Sequence, residues 1–163
     1  MKYLEIRDNI KSGDLLIWSH RGIKNWHDFK VWCIKLFTQS QYTHVGMAWI
    51  VGDRVLVLEA VVPEVRIYPL SRLGNFYYIK QDLNWNNEVE SLALSYVGDK
   101  YSQLQAIESP YKTPPLDNKW ECAELYATIA RKMGLELGYV YTPEKIVEES
   151  IKLGKSLIYV NQD

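Results

Sequence analysis

Three side chains of this sequence could together perform nucleophilic chemistry, although they lie far apart along the chain. Cys122 lies near the predicted start of a helix, where unpaired N–H groups and the helix dipole favour a thiolate, the nucleophilic form of cysteine. His44 opens a predicted strand and offers an imidazole that can take the thiol proton. Glu59 lies on a neighbouring predicted strand, and its carboxylate can orient that imidazole. These residue types are those of a cysteine nucleophile, its base and an orienting acid.

The turn of a predicted β-hairpin decides whether His44 and Glu59 can meet. Gly52-Asp53 between two apolar runs predicts a two-residue turn, which places Gly46 opposite Glu59. His44 then shares a sheet face with Glu59 on the diagonal, and Gly46 has no side chain to separate them. A three-residue loop would place Glu59 on the opposite face, because strand side chains alternate. The predicted contact therefore depends on the turn.

Each of the three residues also has an ordinary structural interpretation. Cys122 is in line with Leu125 and Ile129 at helical spacing, and this position alone favours a buried, unreactive cysteine. His44 is also explained as a hydrogen-bonded imidazole in the core or at a sheet edge. Glu59 is also explained as a solvent-facing glutamate on an alternating strand. The residues alone leave both interpretations open.

Length and charge exclude several classes of protein. A chain of 163 residues fits one domain, 1–163, and its net charge of −1 gives no footprint for nucleic acid or an anionic membrane. No run approaches the roughly 18 apolar residues that span a bilayer. The stretch MKYLEIRDNIKSGD has no apolar run, so no secretory signal is predicted. We expect a cytoplasmic protein, a location compatible with a viral or phage source; nothing in the sequence indicates an oligomeric state.

Cysteine and histidine spacing predicts neither a disulfide nor a metal site. Cys33 and Cys122 are too few for a disulfide framework, and a reducing compartment would keep both thiols free. Cys33 lies on the apolar stripe of a predicted helix over 28–37, which favours a small buried side chain. His20 and His27 have no third ligand nearby, and the chain has no CxxC, HExxH or GxGxxG motif. No metal, nucleotide or other cofactor is expected.

The predicted elements are mostly strands first and helices later, which favours an α+β domain. Strands are predicted at Leu15–Trp18, His44–Val51, Arg54–Ala60, Val65–Tyr68, Asn75–Gln81 and Ser156–Val160. Helices are predicted at Asp28–Phe37, at Glu88–Val97, from an Asn118 cap to Gly134, and after a Thr142 cap with Pro143 in the first turn. Residues 102–118 are predicted to form a surface loop.

The sequence resembles the circularly permuted branch of the NlpC-type papain-like superfamily, especially its YiiX-like group. The resemblance rests on Gly13-Asp14-Leu15-Leu16, Thr43-His44-Val45-Gly46-Met47, Leu58-Glu59-Ala60, Gly98-Asp99-Lys100-Tyr101, Cys122-Ala123-Glu124-Leu125 and Thr142-Pro143. These stretches span nearly the whole chain in the order histidine, carboxylate, cysteine. In unpermuted relatives the cysteine helix precedes the barrel strands. The resemblance implies a small antiparallel, barrel-like sheet with the nucleophile helix packed against it.

The resemblance also implies roles for individual residues. Cys122 is the implied nucleophile, His44 the base and Glu59 the orienting acid, and Tyr101 is the best match to a tyrosine in the oxyanion site. Because the segment between Tyr101 and Cys122 is long and contains prolines, Trp120 and Tyr111 are alternatives for this last role, and Tyr101 is equally explained as a core aromatic residue. Glu124 is expected to make a structural hydrogen bond.

The predicted activity is hydrolysis of an amide bond through an acyl-enzyme, with the backbone N–H of Cys122 helping to hold the oxyanion. A small peptide or a cell-wall peptide is the substrate that the resemblance implies. One alternative is a lipid-directed acyltransferase or acyl hydrolase of the same superfamily. Another is a non-catalytic binding module that keeps the fold.

Overall fold

The computed structural model describes residues 1–19, 41–101, 119–138 and 142–162. Several sequence predictions lie outside these ranges: the helix over 28–37 with Cys33, the loop over 102–118 with Tyr111, and His20 and His27. Within the described ranges, α-helices and an antiparallel six-stranded sheet form a mixed α+β structure, as predicted.

The six-stranded sheet is the centre of the fold. Its hydrogen-bonded order is β4-β3-β2-β1-β5-β8, and every neighbouring pair is antiparallel. These strands are β1 (Leu15–Trp18), β2 (His44–Val51), β3 (Arg54–Ala60), β4 (Val65–Pro69), β5 (Phe76–Ile79) and β8 (Leu157–Val160). Two short strands, β6 (Lys100–Tyr101) and β7 (Lys119–Trp120), pair in parallel as a separate small sheet.

Four α-helices accompany the sheets in the described part of the chain. They are α1 (Tyr3–Ile6), α2 (Asn87–Ser95), α3 (Cys122–Lys132) and α4 (Pro143–Lys152), with short 3₁₀ turns at Arg7–Asn9 and Leu70–Arg72. None of these helices has the length and apolar character that crossing a membrane would require.

The predicted strands and two of the predicted helices are confirmed, with ends that differ by at most two residues. Thr142 caps α4 as predicted: its Oγ1 accepts the backbone N–H of Lys145 at 3.3 Å. The predicted Asn118 cap is wrong, because the N-cap of α3 is Glu121. Pairing with β6 holds residues 119–120 in an extended conformation, so the helix cannot begin before Cys122.

Both faces of the sheet are buried, because its side chains alternate between two apolar clusters. Helices α2, α3 and α4 cover the face that carries Leu15, Ile17, Val45 and Met47. The N-terminal segment covers the other face, where Tyr3, Ile6 and Ile10 pack on Leu16, Ala48, Val57 and Phe76. A sheet covered on both sides holds its strand ends in fixed positions, including the end that begins with His44.

Asp14 ties down the start of β1 through a fully hydrogen-bonded carboxyl. Its side chain is 1% exposed. Oδ2 accepts the Tyr78 hydroxyl and the Lys11 backbone N–H, both at 2.9 Å, and Oδ1 accepts the Gln81 backbone N–H at 2.8 Å. Burial outweighs these bonds and raises the pKa of Asp14. The preceding Gly13 has φ +95°, a left-handed conformation that favours glycine. The Gly13-Asp14 pair therefore has a structural function.

Candidate active site

The β2–β3 hairpin has the predicted two-residue turn. Val51 pairs with Arg54, and the register continues to Met47 opposite Leu58. Gly52 in the turn has φ +59°, the left-handed conformation that such turns need. The next pair along the register is Gly46 and Glu59, so Glu59 lies on the sheet face that was predicted.

Gly46 leaves the space through which Glu59 reaches the imidazole. A Cβ atom at Gly46 would lie 2.5 Å from Cγ2 of Val57 and 3.5 Å from Cβ of Glu59. The first distance is shorter than any ordinary contact, so a side chain here would displace the neighbouring strand. Glycine is therefore required at this point of β2 by close packing.

His44 and Glu59 form a short side-chain hydrogen bond. Nε2 of His44 lies 2.7 Å from Oε2 of Glu59. The Glu59 side chain is 2% exposed and that of His44 is 23% exposed. The Trp18 ring packs beside the imidazole with 5.4 Å between ring centroids. The imidazole is thus held on two sides while part of its edge stays open.

Arg66 holds the second oxygen of Glu59, a contact that the sequence analysis missed. Oε1 accepts hydrogen bonds from Nε at 2.9 Å and from Nη2 at 2.7 Å. Arg66 is the cross-strand partner of Glu59 on β4, and its guanidinium lies 4.5 Å above the centroid of the Tyr68 ring. Burial raises the pKa of Glu59, but the bonds to His44 and Arg66 outweigh it, so the pKa is lowered overall. Glu59 is therefore a charged, doubly held carboxylate.

Cys122 is the first residue of α3, and its thiol lies near the imidazole of His44. The side chain is 7% exposed, and interaction with His44 lowers the pKa of the thiol. The backbone N–H groups of Val45 and Ala123 lower this pKa as well. Three neighbouring groups therefore favour the thiolate.

The pKa values of Cys122 and His44 move in opposite directions. Burial raises the pKa of the thiol, but the bond to His44 and the two backbone N–H groups outweigh burial and lower it. Burial lowers the pKa of His44, but the bonds to Cys122 and Glu59 outweigh it and raise the pKa above its usual value. Together the two shifts favour a thiolate–imidazolium pair at neutral pH.

For Cys122 and His44 to interact, the start of α3 and the start of β2 must lie together at one end of the sheet. By alternation His44 belongs to the face covered by the N-terminal segment, whereas α3 packs on the other face. His44 is the first residue of β2, so the first residue of α3 can reach it at the strand end. The Val45 backbone N–H and the His44 imidazole both lower the pKa of Cys122, so the two ends lie close together.

Tyr101 lies near Cys122, and its role in the oxyanion site stays a prediction. Tyr101 pairs with Trp120 across β6 and β7, two residues before Cys122. Burial raises the pKa of Tyr101, and the negative charges of Cys122 and Glu121 raise it further, so its hydroxyl stays protonated and able to donate. The alternative donor, Trp120, is engaged elsewhere: its Nε1 donates to Oδ2 of Asp99 at 2.9 Å.

Glu121 is a second residue that the sequence analysis missed in this region. Its side chain is 5% exposed, and its Oε1 has no hydrogen-bond partner in the described structure. Burial, followed by the charges of Cys122 and Glu124, raises the pKa of Glu121 well above its ordinary value. No local pattern indicated this burial, because Glu121 matched a capping-box position instead.

The site has little resemblance to a metal centre. Within the described ranges, no group of three or more histidine, cysteine, aspartate or glutamate side chains is placed to hold a metal ion. Both oxygens of Glu59 are already occupied, one by Nε2 of His44 and the other by Arg66. This donor set fits proton transfer better than metal coordination.

Comparison with known proteins supports the fold. No known family matches the sequence, and no curated protein matches it. Among solved structures, the metalloprotein YiiX from Escherichia coli O157:H7 is similar, with a TM-score of 0.55 and 22% sequence identity. The similarity covers 78% of this chain and 69% of YiiX. The chain therefore has a YiiX-like fold.

Proposed function

We propose that this chain is a cysteine hydrolase that cleaves an amide bond through Cys122, His44 and Glu59. The observation that carries the proposal is the hydrogen-bonded series of Arg66, Glu59 and His44, with the Cys122 thiol near the His44 imidazole, which lowers its pKa. Membership of the permuted, papain-like NlpC superfamily is part of the same proposal. The sequence motifs support this membership, and the solved-structure comparison supports the YiiX-like fold alone.

The first half of the reaction forms an acyl-enzyme. The Cys122 thiolate attacks the carbonyl carbon, a C–S bond forms, and the carbonyl oxygen becomes an oxyanion. The backbone N–H of Cys122, at the helix start, and the Tyr101 hydroxyl donate hydrogen bonds to this oxygen. The His44 imidazolium gives its proton to the amine nitrogen, the C–N bond breaks, and the amine leaves.

The second half releases the acid and restores the enzyme. Neutral His44 now takes a proton from water, and the resulting hydroxide attacks the thioester carbonyl. The C–S bond breaks, the carboxylic acid leaves, and Cys122 departs as a thiolate beside the His44 imidazolium. No cofactor takes part in these steps.

Glu59 and Arg66 prepare the base for both halves. Glu59 fixes the orientation of the imidazole, and its charge stabilises the imidazolium. Arg66 holds the second carboxylate oxygen in a bidentate contact, which fixes the carboxylate plane. Neither residue contacts the substrate, so both are positioning residues.

The proposed substrate is a small peptide or a cell-wall peptide, a class that follows from the family resemblance. The test is turnover of a panel of short peptide amides by the wild type, Cys122→Ala and His44→Ala, with and without a chelator. Chelator-insensitive turnover that both variants lose would support the proposal. Fatty-acid release from a phospholipid would favour the acyl hydrolase instead, and binding without turnover would favour the binding module.

A further inference from the structure

The Glu121 carboxyl lies beside the nucleophile with no function in the fold. It is the N-cap of α3, yet its side chain makes no capping hydrogen bond. The side chain is 5% exposed, and in the described structure its Oε1 has no hydrogen-bond partner. Buried polar groups nearly always have partners, because leaving water without one is unfavourable. An unpartnered carboxyl oxygen next to a nucleophile therefore indicates that a ligand completes the contact.

The surroundings of Glu121 set its protonation state. Among the described residues, α3 presents Cys122 and Glu124 to it, and β6 presents Tyr101. Burial and the charges of Cys122 and Glu124 disfavour the carboxylate, and the nearby backbone N–H of Glu124 only partly offsets them. Glu59, in contrast, has two cationic partners. The raised pKa favours the protonated acid, whose O–H can donate a hydrogen bond that a carboxylate cannot.

We propose that Glu121 is a substrate-binding residue whose buried, otherwise unpartnered carboxyl group donates a hydrogen bond to an acceptor on the substrate. The acceptor is a neutral oxygen, such as a peptide carbonyl, next to the bond that Cys122 attacks. Glu121 keeps its proton throughout. The site therefore selects acyl groups that carry a neutral acceptor beside the scissile carbonyl. The identity of the substrate rests on the proposed hydrolase function, whereas the protonation of Glu121 does not.

Two alkylating reagents test the proposal without a known substrate. Iodoacetamide carries a neutral amide acceptor and iodoacetate a negative charge, and peptide mapping follows labelling of Cys122 near pH 6. The proteins are the wild type, Glu121→Gln, Glu121→Ala and the control Glu136→Gln, which removes an exposed carboxylate. Glutamine is also a neutral donor, so Glu121→Gln should keep both labelling rates within about twofold of wild type. Glu121→Ala should slow iodoacetamide by about three- to tenfold, the effect of one lost hydrogen bond.

An ionised Glu121 would give a different pattern. It would repel iodoacetate, so Glu121→Gln would raise iodoacetate labelling about tenfold while iodoacetamide labelling stayed the same. That result, or a Glu121→Ala variant with unchanged iodoacetamide labelling, would overturn the proposal.

A spectroscopic measurement covers the case in which Cys122 labels too slowly or Glu121→Ala fails to fold. The infrared difference spectrum of the wild type minus Glu121→Gln at pH 7 should contain the C=O stretch of a protonated carboxylic acid. Carboxylate bands in its place would overturn the proposal. A Cys122 that reacts no faster than free cysteine in all variants would instead count against the hydrolase, and leave the infrared result unaffected.

Discussion

Asp14 and Glu59 are both buried carboxyls of one sheet, but their pKa values are shifted in opposite directions. Asp14 precedes β1 and receives three hydrogen bonds, all from neutral donors, and burial raises its pKa. Glu59 lies on β3 and receives bonds from His44 and Arg66, which lower its pKa. The two environments differ in the charge of the donors.

This difference separates a structural carboxyl from one that can support catalysis. Neutral donors satisfy the Asp14 oxygens and fix the chain, but they do little to hold a negative charge in the core. Cationic donors hold Glu59 as a carboxylate, which can in turn stabilise an imidazolium. If this comparison is right, substitution of Asp14 should alter stability, and substitution of Glu59 should alter chemistry.

The largest effect is expected at the nucleophile and base. Cys122→Ala and His44→Ala should each lower turnover of a peptide substrate by at least about 10³-fold, since each removes a group that makes or breaks bonds. Both variants should keep the wild-type circular dichroism spectrum. Cys33→Ala is the matched control and should retain activity. Equal loss in the control would mean that Cys122 is the wrong cysteine.

For Asp14, the structural carboxyl, substitution to Ala should lower the free energy of unfolding by about 3 kcal/mol. The Lys11 and Gln81 backbone N–H groups and the Tyr78 hydroxyl would lose their buried acceptor. Urea unfolding measures the change, and Asp8→Ala, which removes an exposed aspartate, is the control. Turnover per folded molecule should stay near that of the wild type. A selective loss of activity at unchanged stability would contradict the comparison.

Local sequence signals were enough to predict much of this arrangement. Gly52-Asp53 fixed the hairpin register, and that register correctly placed Glu59 beside His44. Arg66 was missed although its strand was predicted, because its alignment with Glu59 depends on the four-residue connection between β3 and β4.

Where local and long-range signals competed, the local interpretation failed. The capping-box pattern placed the helix start at Asn118, whereas pairing of β7 with β6, far away in the sequence, delays it until Cys122. The same pattern assigned Glu121 to capping and concealed a buried, unpartnered carboxyl. No local pattern reports such burial, because it results from elements that meet only in the folded chain.

Glu59→Gln should lower turnover by about 10- to 100-fold. This is a smaller loss than the one expected for His44→Ala. Glutamine still accepts a hydrogen bond from His44 but removes the charge that stabilises the imidazolium. The pH–rate profile checks this, since the limb assigned to His44 should shift to lower pH. Asp53→Asn, in the exposed turn of the same hairpin, is the control. An unchanged profile would show that the charge of Glu59 is not used.

A smaller effect should distinguish Asp14 from Glu59. Their contributions to the free energy of unfolding should change with pH in opposite directions. The folded-state pKa of Glu59 is lowered, so its stabilising contribution is present above its unfolded pKa and is lost as the pH falls through the folded value. The folded-state pKa of Asp14 is raised, so its contribution is largest below its unfolded pKa and is lost as the pH rises through the folded value.

Urea unfolding between about pH 7 and about pH 4 measures both contributions, since ordinary carboxyl pKa values lie near the lower limit. The stability advantage of wild type over Glu59→Gln should shrink on acidification. The stability advantage of wild type over Asp14→Asn should grow on acidification. If both advantages change in the same direction, the two carboxyls do not differ as described.

The central claim, that Cys122 and His44 form an activated pair, is tested most directly by alkylation near pH 6. Iodoacetamide treatment followed by peptide mass mapping should label Cys122 much faster than a free cysteine, because the thiol pKa is lowered by the His44 bond. His44→Ala should slow this labelling at the same pH, and Cys33 should react only after unfolding. A second, smaller thiol reagent controls for steric shielding. If Cys122 reacts no faster than free cysteine with either reagent, and His44→Ala changes nothing, the account is contradicted.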